Sequence, residues 1–142
     1  VYKEPTPLEH WVLGFAKAAS PKKADVKLRR QAMLPHFENA LIMVKKYEAI
    51  ESGVFGKLLA EHHYWFGRAL LQVGDSENAK KALQLGLKTL PLKGGDRDKF
   101  YLQLAKAEID VSGNIDKAQH YLDQVTQVTI VYTVILDTEN NS

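Results

Sequence analysis

A chain of 142 residues with 45% hydrophobic and 25% charged side chains is long enough to bury a core of ordinary domain size. Its 19 basic and 17 acidic residues leave a formal charge of +2, which gives no reason to expect a nucleic-acid partner. The lack of cysteine excludes disulfides and thiolate chemistry, and no apolar run reaches the roughly 20 residues that span a bilayer, so no membrane insertion is expected.

The chain reads as one all-α domain up to its last segment. Pro5 to Ala19 carries Leu8, Trp11, Val12 and Phe15 at helical spacing, with Thr6 and Pro7 as cap and first-turn residues. After Ser20-Pro21, an apolar stripe of Val26, Leu28, Met33, Phe37, Leu41, Val44 and Tyr47 predicts a long helix over 24–49. Pro35 falls inside it, where a missing amide and a ring clash predict a kink or a split into two helices. Glu51-Ser52-Gly53 breaks the pattern. A strong helix over 55–73 closes at Gly74, Asp75 or Ser76 caps the next one, and Pro91 stands just beyond its end. Lys93-Gly94-Gly95-Asp96 reads as a loop, and Asp98–Ser112 and 115–127 as a further pair punctuated by Gly113-Asn114.

Glu38-Asn39-Ala40 returns as Glu77-Asn78-Ala79 after 39 residues, and after 39 more stands Asp116-Lys117-Ala118; each is expected to open a stretch of helical periodicity. Such a period is the mark of stacked supersecondary units. Phe66-Gly67, Ala69, Leu70, Val73-Gly74, Ala79, Leu83 and Pro91 form a pattern of small and large residues that resembles the tetratricopeptide repeat. A second copy follows with Leu104-Ala105, Ala107, Val111, Gly113, Ala118, Leu122 and Val125, although thirteen residues rather than twelve separate its key small residues. Gly86 departs from the alanine usual in that family and should cost stability in mid-helix. Phe37, Ala40, Val44 and Tyr47 look like a second repeat helix whose first helix is not found at the proper distance, with only Leu13-Gly14 similar to one. The resemblance implies antiparallel helix pairs stacked into a short right-handed α-solenoid: N-terminal helices with a degenerate repeat over 1–54, repeats at 55–91 and 96–127, and a separate C-terminal segment over 128–142.

In that architecture the groove is lined by the first helix of each pair. The candidate peptide-binding residues are Glu61, Tyr64, Arg68 and Gln72 on one such helix, and Lys99, Gln103, Lys106 and Asp110 on the next. Arg68 and Lys106 beside Tyr64 would suit a peptide carboxylate. The family's clamp for acidic chaperone termini uses asparagines where Arg68 and Gln103 stand, so that particular activity is not expected. No phosphate loop, nucleophile elbow or i, i+4 histidine pair occurs, and His62-His63 diverge on a helix; no metal, cofactor or enzymatic activity is expected. The densest basic cluster, Lys22, Lys23, Lys27, Arg29 and Arg30, reads as a solvated helix face, or else as a contact for nucleic acid or an acidic partner.

The alternating series from Val128 to Leu136 is rich in β-branched residues and predicts a strand or extended segment, paired with a second copy in a homodimer or with another strand. The competing expectation is a final helix capping the stack. Two functions follow: a module binding a protein or peptide, or, by layout alone, the effector or sensory domain of a larger regulator similar to bacterial transcriptional activators. The start at Val1 without a secretion pattern reads as an excised or processed chain, with the cytoplasm slightly favoured and the periplasm open.

Overall fold

The computed structural model describes residues 6–50, 52–91 and 94–126, and every element among them is helical. Helix α1 (Pro7–Ala19) starts as its sequence demands. The Thr6 hydroxyl accepts from the Glu9 amide at 3.3 Å, and Pro7 sits in the first turn, where its missing amide costs nothing. Helix α2 (Val26–Ile50) runs unbroken through Pro35, so of the two outcomes expected there, a kink or a split, the split does not occur. Met33, Phe37, Ala40 and Val44 are all buried on either side of the proline, and their packing outweighs the one lost backbone bond. Four more helices follow: α3 (Ser52–Gln72), α4 (Ser76–Lys88), α5 (Asp98–Ser112), entered through a 3-10 turn at Gly95–Arg97, and α6 (Ile115–Asp123).

The glycine punctuation explains why the two repeat copies differ by one residue. At the end of α3 the Asp75 amide reaches the Leu70 carbonyl at 2.9 Å and the Gly74 amide reaches Leu71 at 3.1 Å, with Gly74 at φ 79°, which is a Schellman closure. At the end of α5 a single bond runs from the Gly113 amide to the Ile109 carbonyl at 2.9 Å, with Gly113 at φ 66°. Seven positions separate Gly67 from Gly74 and eight separate Ala105 from Gly113, so the extra residue is absorbed inside α5, upstream of its glycine. Asp75 then caps α4 and Asn114 caps α6, each accepting the amide three residues on, at 3.4 and 3.0 Å. Helix α6 ends at Asp123, short of the expected 127, and Thr126 turns back to Asp98. The segment Val128–Leu136, expected to be extended, lies outside the described residues.

Each helix packs on the next in the chain, and α3 also packs on α1 and on α5. Helix α1 therefore pairs with α2, where the sequence pattern placed no helix at the expected distance. The sequence hides it because Ser20–Asp25 intervenes where the later pairs have a tight turn. Glu38-Asn39-Ala40 lies in the middle of α2 and opens no helix, unlike its two later counterparts, yet Ala40, Ala79 and Ala118 are all buried. The basic cluster is partly structural as well. Arg29 donates to the Ala18, Ala24 and Gln72 carbonyls at 2.7, 3.3 and 3.4 Å, tying α1 and α3 to α2, and Arg30 pairs with Asp75 at 3.0 Å.

Glycine is needed at the helix crossings for want of space. A Cβ on Gly67 would lie 2.8 Å from Leu83 Cγ, and one on Gly86 would press into the Phe100 ring, reaching Cζ at 3.0 Å. Both Leu83 and Phe100 are fully buried and cannot swing aside. Helix propensity alone says that Gly86→Ala should gain roughly 0.5–1 kcal/mol. The packing reverses that sign: we expect a loss of about 1–3 kcal/mol for Gly86→Ala, and about 3 kcal/mol or more for Gly67→Leu, in urea denaturation. A Gly86→Ala protein more stable than its parent would show that the α4–α5 crossing has slack.

Candidate functional site

Helices α1, α3 and α5 lie side by side, and the face they share carries most of the expected groove residues. Lys99 forms an ion pair with Glu61 and places its ammonium 4.5 Å from the Tyr64 ring centre. Tyr64 also meets the buried Phe100 ring edge-on at 5.4 Å. Burial raises the pKa of the Tyr64 phenol, Glu61 adds to the rise, and Arg68 and a hydrogen bond with Gln103 act against it. Thus Glu61, Tyr64, Arg68, Lys99 and Gln103 come together across α3 and α5. A small cleft of about 140 Å³, lined by Lys57, Glu61, Leu90, Asp96 and Phe100, opens beside them.

Arg68 is the centre of the face. Its guanidinium carbon lies 4.5 Å from the Phe15 ring centre, 5.1 Å from Trp65 and 5.5 Å from Tyr64, and Phe15 and Trp65 meet edge-on at 6.1 Å. No acidic side chain among the described residues pairs with it. Lys106, half-buried on the same stripe of α5 as Lys99 and Gln103, also lacks an ion pair among the described residues. Gln72 and Asp110 are not drawn into this group. Gln72 is exposed at the end of α3 and gives its carbonyl to Arg29, while Asp110 accepts from the Ser76 hydroxyl at 3.2 Å.

Phe15 and Trp65 were not among the expected site residues, although the sequence held a signal for Phe15. Pro7, Trp11, Gly14 and Ala18 form the buried stripe of α1. Leu8, Val12 and Phe15 form a second stripe displaced by one residue, with Leu8 54% and Val12 46% exposed, more apolar surface than one core face requires.

A second cleft, of about 410 Å³, lies between α4, α5 and α6 over the buried Glu108. Lys80 Nζ is 2.6 Å from Glu108 Oε2, a close charged contact on a buried carboxylate, and the Ser112 hydroxyl donates to Oε1 at 3.2 Å. The Lys80 ammonium holds the Glu108 carboxyl below the usual carboxylate range, against the effect of burial. Lys80 and Lys117 balance Glu108 and Asp116 in this cleft, leaving no net charge to attract a ligand, and the arrangement acts as a lock between helices.

The histidines have structural roles that their sequence positions conceal. His10 and His36 face each other across α1 and α2 with their Nδ1 atoms 3.4 Å apart. No cluster of three or more metal-ligating side chains exists among the described residues, and no helix there is long and apolar enough to cross a membrane. His62 is buried, 4% exposed, between Trp11, Phe37 and Phe66, and its Nδ1 accepts from the Trp11 indole at 3.1 Å. Its ring proton therefore sits on Nε2. No protein-family model, curated protein or solved structure matches this chain.

Burial, with a smaller push from His63, drives the His62 pKa from 6.5 down to about 4. Below pH 6.5 the unfolded chain takes up a proton that the folded chain refuses until about pH 4, so stability falls as pH drops through that window. We expect a loss of about 2 kcal/mol between pH 7 and pH 5 from this group alone, read by urea denaturation at each pH. His36 and His63, lowered chiefly by burial, add in the same direction. His62→Gln retains an acceptor for Trp11 and should flatten the slope; an unchanged slope would show that His62 is not the titrating group.

Proposed function

We propose that this chain is a non-enzymatic module that binds a protein or peptide along the face shared by α1, α3 and α5, its helix pairs stacked as a short solenoid of tetratricopeptide type. The observation that carries the reading is Arg68. Most other well-contacted cations are neutralised or spent on carbonyls: Arg30 on Asp75, Lys80 on Glu108, Lys99 on Glu61, Arg29 and Arg97 on backbone oxygens. Arg68 instead lies over three aromatic rings and keeps its N–H edge without an acid. Stacking suits a guanidinium, which is weakly hydrated on its faces, and it leaves the in-plane donors oriented for a bidentate carboxylate.

Tyrosine, tryptophan and arginine are also the residues that concentrate binding energy at interfaces. Lys106 and Gln103 extend the donor row toward α5, and the Leu8–Val12–Phe15 stripe supplies apolar surface toward α1. The complementary ligand is an extended segment with acidic and apolar side chains close together. Random-peptide selection on the full chain should enrich for such sequences. For a selected peptide, Arg68→Ala should weaken binding by about 1–3 kcal/mol, and added salt should weaken it further, with circular dichroism unchanged. Equal affinity in Arg68→Ala/Lys106→Ala would move the site off this face.

A further inference from the structure

Of the five histidines, two meet through their ring nitrogens across a helix interface. His10 on α1 and His36 on α2 are 26 positions apart in the chain and half-buried, and their Nδ1 atoms stand 3.4 Å from each other. The ring centres are 5.6 Å apart with the planes inclined at 44°, so each Nδ1 is turned toward the other ring. A separation of 3.4 Å is long for a hydrogen bond from an N–H donor, for which about 2.7–3.2 Å is usual. It is the separation that a shared cation sets. Two imidazole nitrogens about 2.0–2.1 Å from one tetrahedral metal ion stand roughly 3.3–3.4 Å from each other.

The surroundings fit the same reading. Both residues lie inside regular helices, and α1 packs along α2, so the two rings are presented on rigid elements. Seating an ion off the line that joins the nitrogens requires only a modest turn of each ring about χ2, a broad torsion in histidine. Both rings then ligate as the Nε2–H tautomer, whereas without an ion one Nδ1 carries the proton that lies between them. Half-burial keeps one side of the pair in contact with water, which supplies the remaining coordination positions. The other histidines offer no such pair: His62 spends its Nδ1 on the Trp11 indole, and His120 lies apart on α6.

The donor set also limits which ions suit. No third histidine, aspartate or glutamate joins the pair among the described residues, so the protein supplies two nitrogens and no carboxylate. Imidazole suits zinc, copper and nickel, whereas calcium and magnesium demand oxygen. Apart from His10, Lys17 is the charged side chain that acts on His36, and it opposes a bound cation.

We infer that His10 and His36 form a two-histidine site for a divalent transition-metal ion of the zinc, nickel or copper class, which fastens α1 to α2. This does not depend on the groove reading. The fastening falls on the first helix pair, where Ser20–Asp25 replaces the tight turns of the later pairs, and on the helix that brings Phe15 to Arg68. An ion held in this way stabilises the folded chain by mass action.

The test adds nickel or zinc ions to the untagged full chain, with thermal unfolding and the imidazole nitrogen resonances as readouts. Free nickel or zinc at a hundredfold excess over its Kd should raise Tm by about 5 °C or more, and magnesium at the same concentration should not. Zinc should shift the Nδ1 resonances of His10 and His36 together and leave those of His62 and His120 in place. His10→Gln and His36→Gln should each weaken binding at least about tenfold, and Lys17→Gln should tighten it about twofold or more. Where one histidine variant fails to fold, the other decides, and where both fail the resonances of the parent decide. An unchanged Tm with both nickel and zinc, or an affinity equal to the parent's in both histidine variants, would overturn the inference. Zinc-induced shifts confined to His63 or His120 would overturn it as well, because the ion would then sit elsewhere.

Discussion

Three helix crossings depend on a glycine that leaves room for one large side chain from the next helix. Phe37 of α2 fills the space at Gly14 of α1, Leu83 of α4 fills that at Gly67 of α3, and Phe100 of α5 fills that at Gly86 of α4. Each intruding side chain is buried and is part of a wider cluster. Phe37 continues to Phe66, with ring centres 5.1 Å apart, and to His62, which carries the contact on to Trp11. Phe100 continues to Tyr64. Interiors this dense transmit position from one helix to the next, so the spacing of α1, α3 and α5 on the opposite side is set by these three fits. The candidate groove inherits its geometry from them.

Charge is distributed with the same division of labour. Arg29, Arg30, Lys80 and Arg97 bind helix ends, turns or a buried carboxylate, where a charged donor satisfies several acceptors at once. The densest run of basic residues in the sequence is therefore partly internal scaffolding. Arg68 lies in a sparser stretch of charge and yet lies over three aromatic rings. Density of charge along the chain was a poor guide to which cations lack an acid, because a cation's availability depends on which acids and carbonyls the tertiary fold brings near it.

Which of the candidate residues the fold brings together was half legible. Placing Tyr64, Arg68, Lys99 and Gln103 on facing stripes needed only helical periodicity and the assumption that alternate helices are neighbours. Gln72 and Asp110 satisfied the same periodicity, but helix ends bring them to Arg29 and Ser76. Phe15 was missed because the pairing of α1 with α2 was not recognised; α2 begins only after Ser20–Asp25, and the small-residue pattern is spread over a longer interval there.

What the sequence by itself determined were the features governed by residues within about four positions of one another. These are the caps at Thr6, at Asp75 or Ser76 and at Asn114, the left-handed glycines at 74 and 113, the helical stripes, and the small residues that permit close crossings. Only the tertiary structure decided the continuity of α2 through Pro35, the meeting of Trp11 with His62 and of His10 with His36, and the aromatic bed under Arg68. The reason is that periodicity states which side chains share a face of a helix, whereas the face they meet is chosen by the packing energy of the whole core, summed over residues too far apart in the chain for any local rule to connect them.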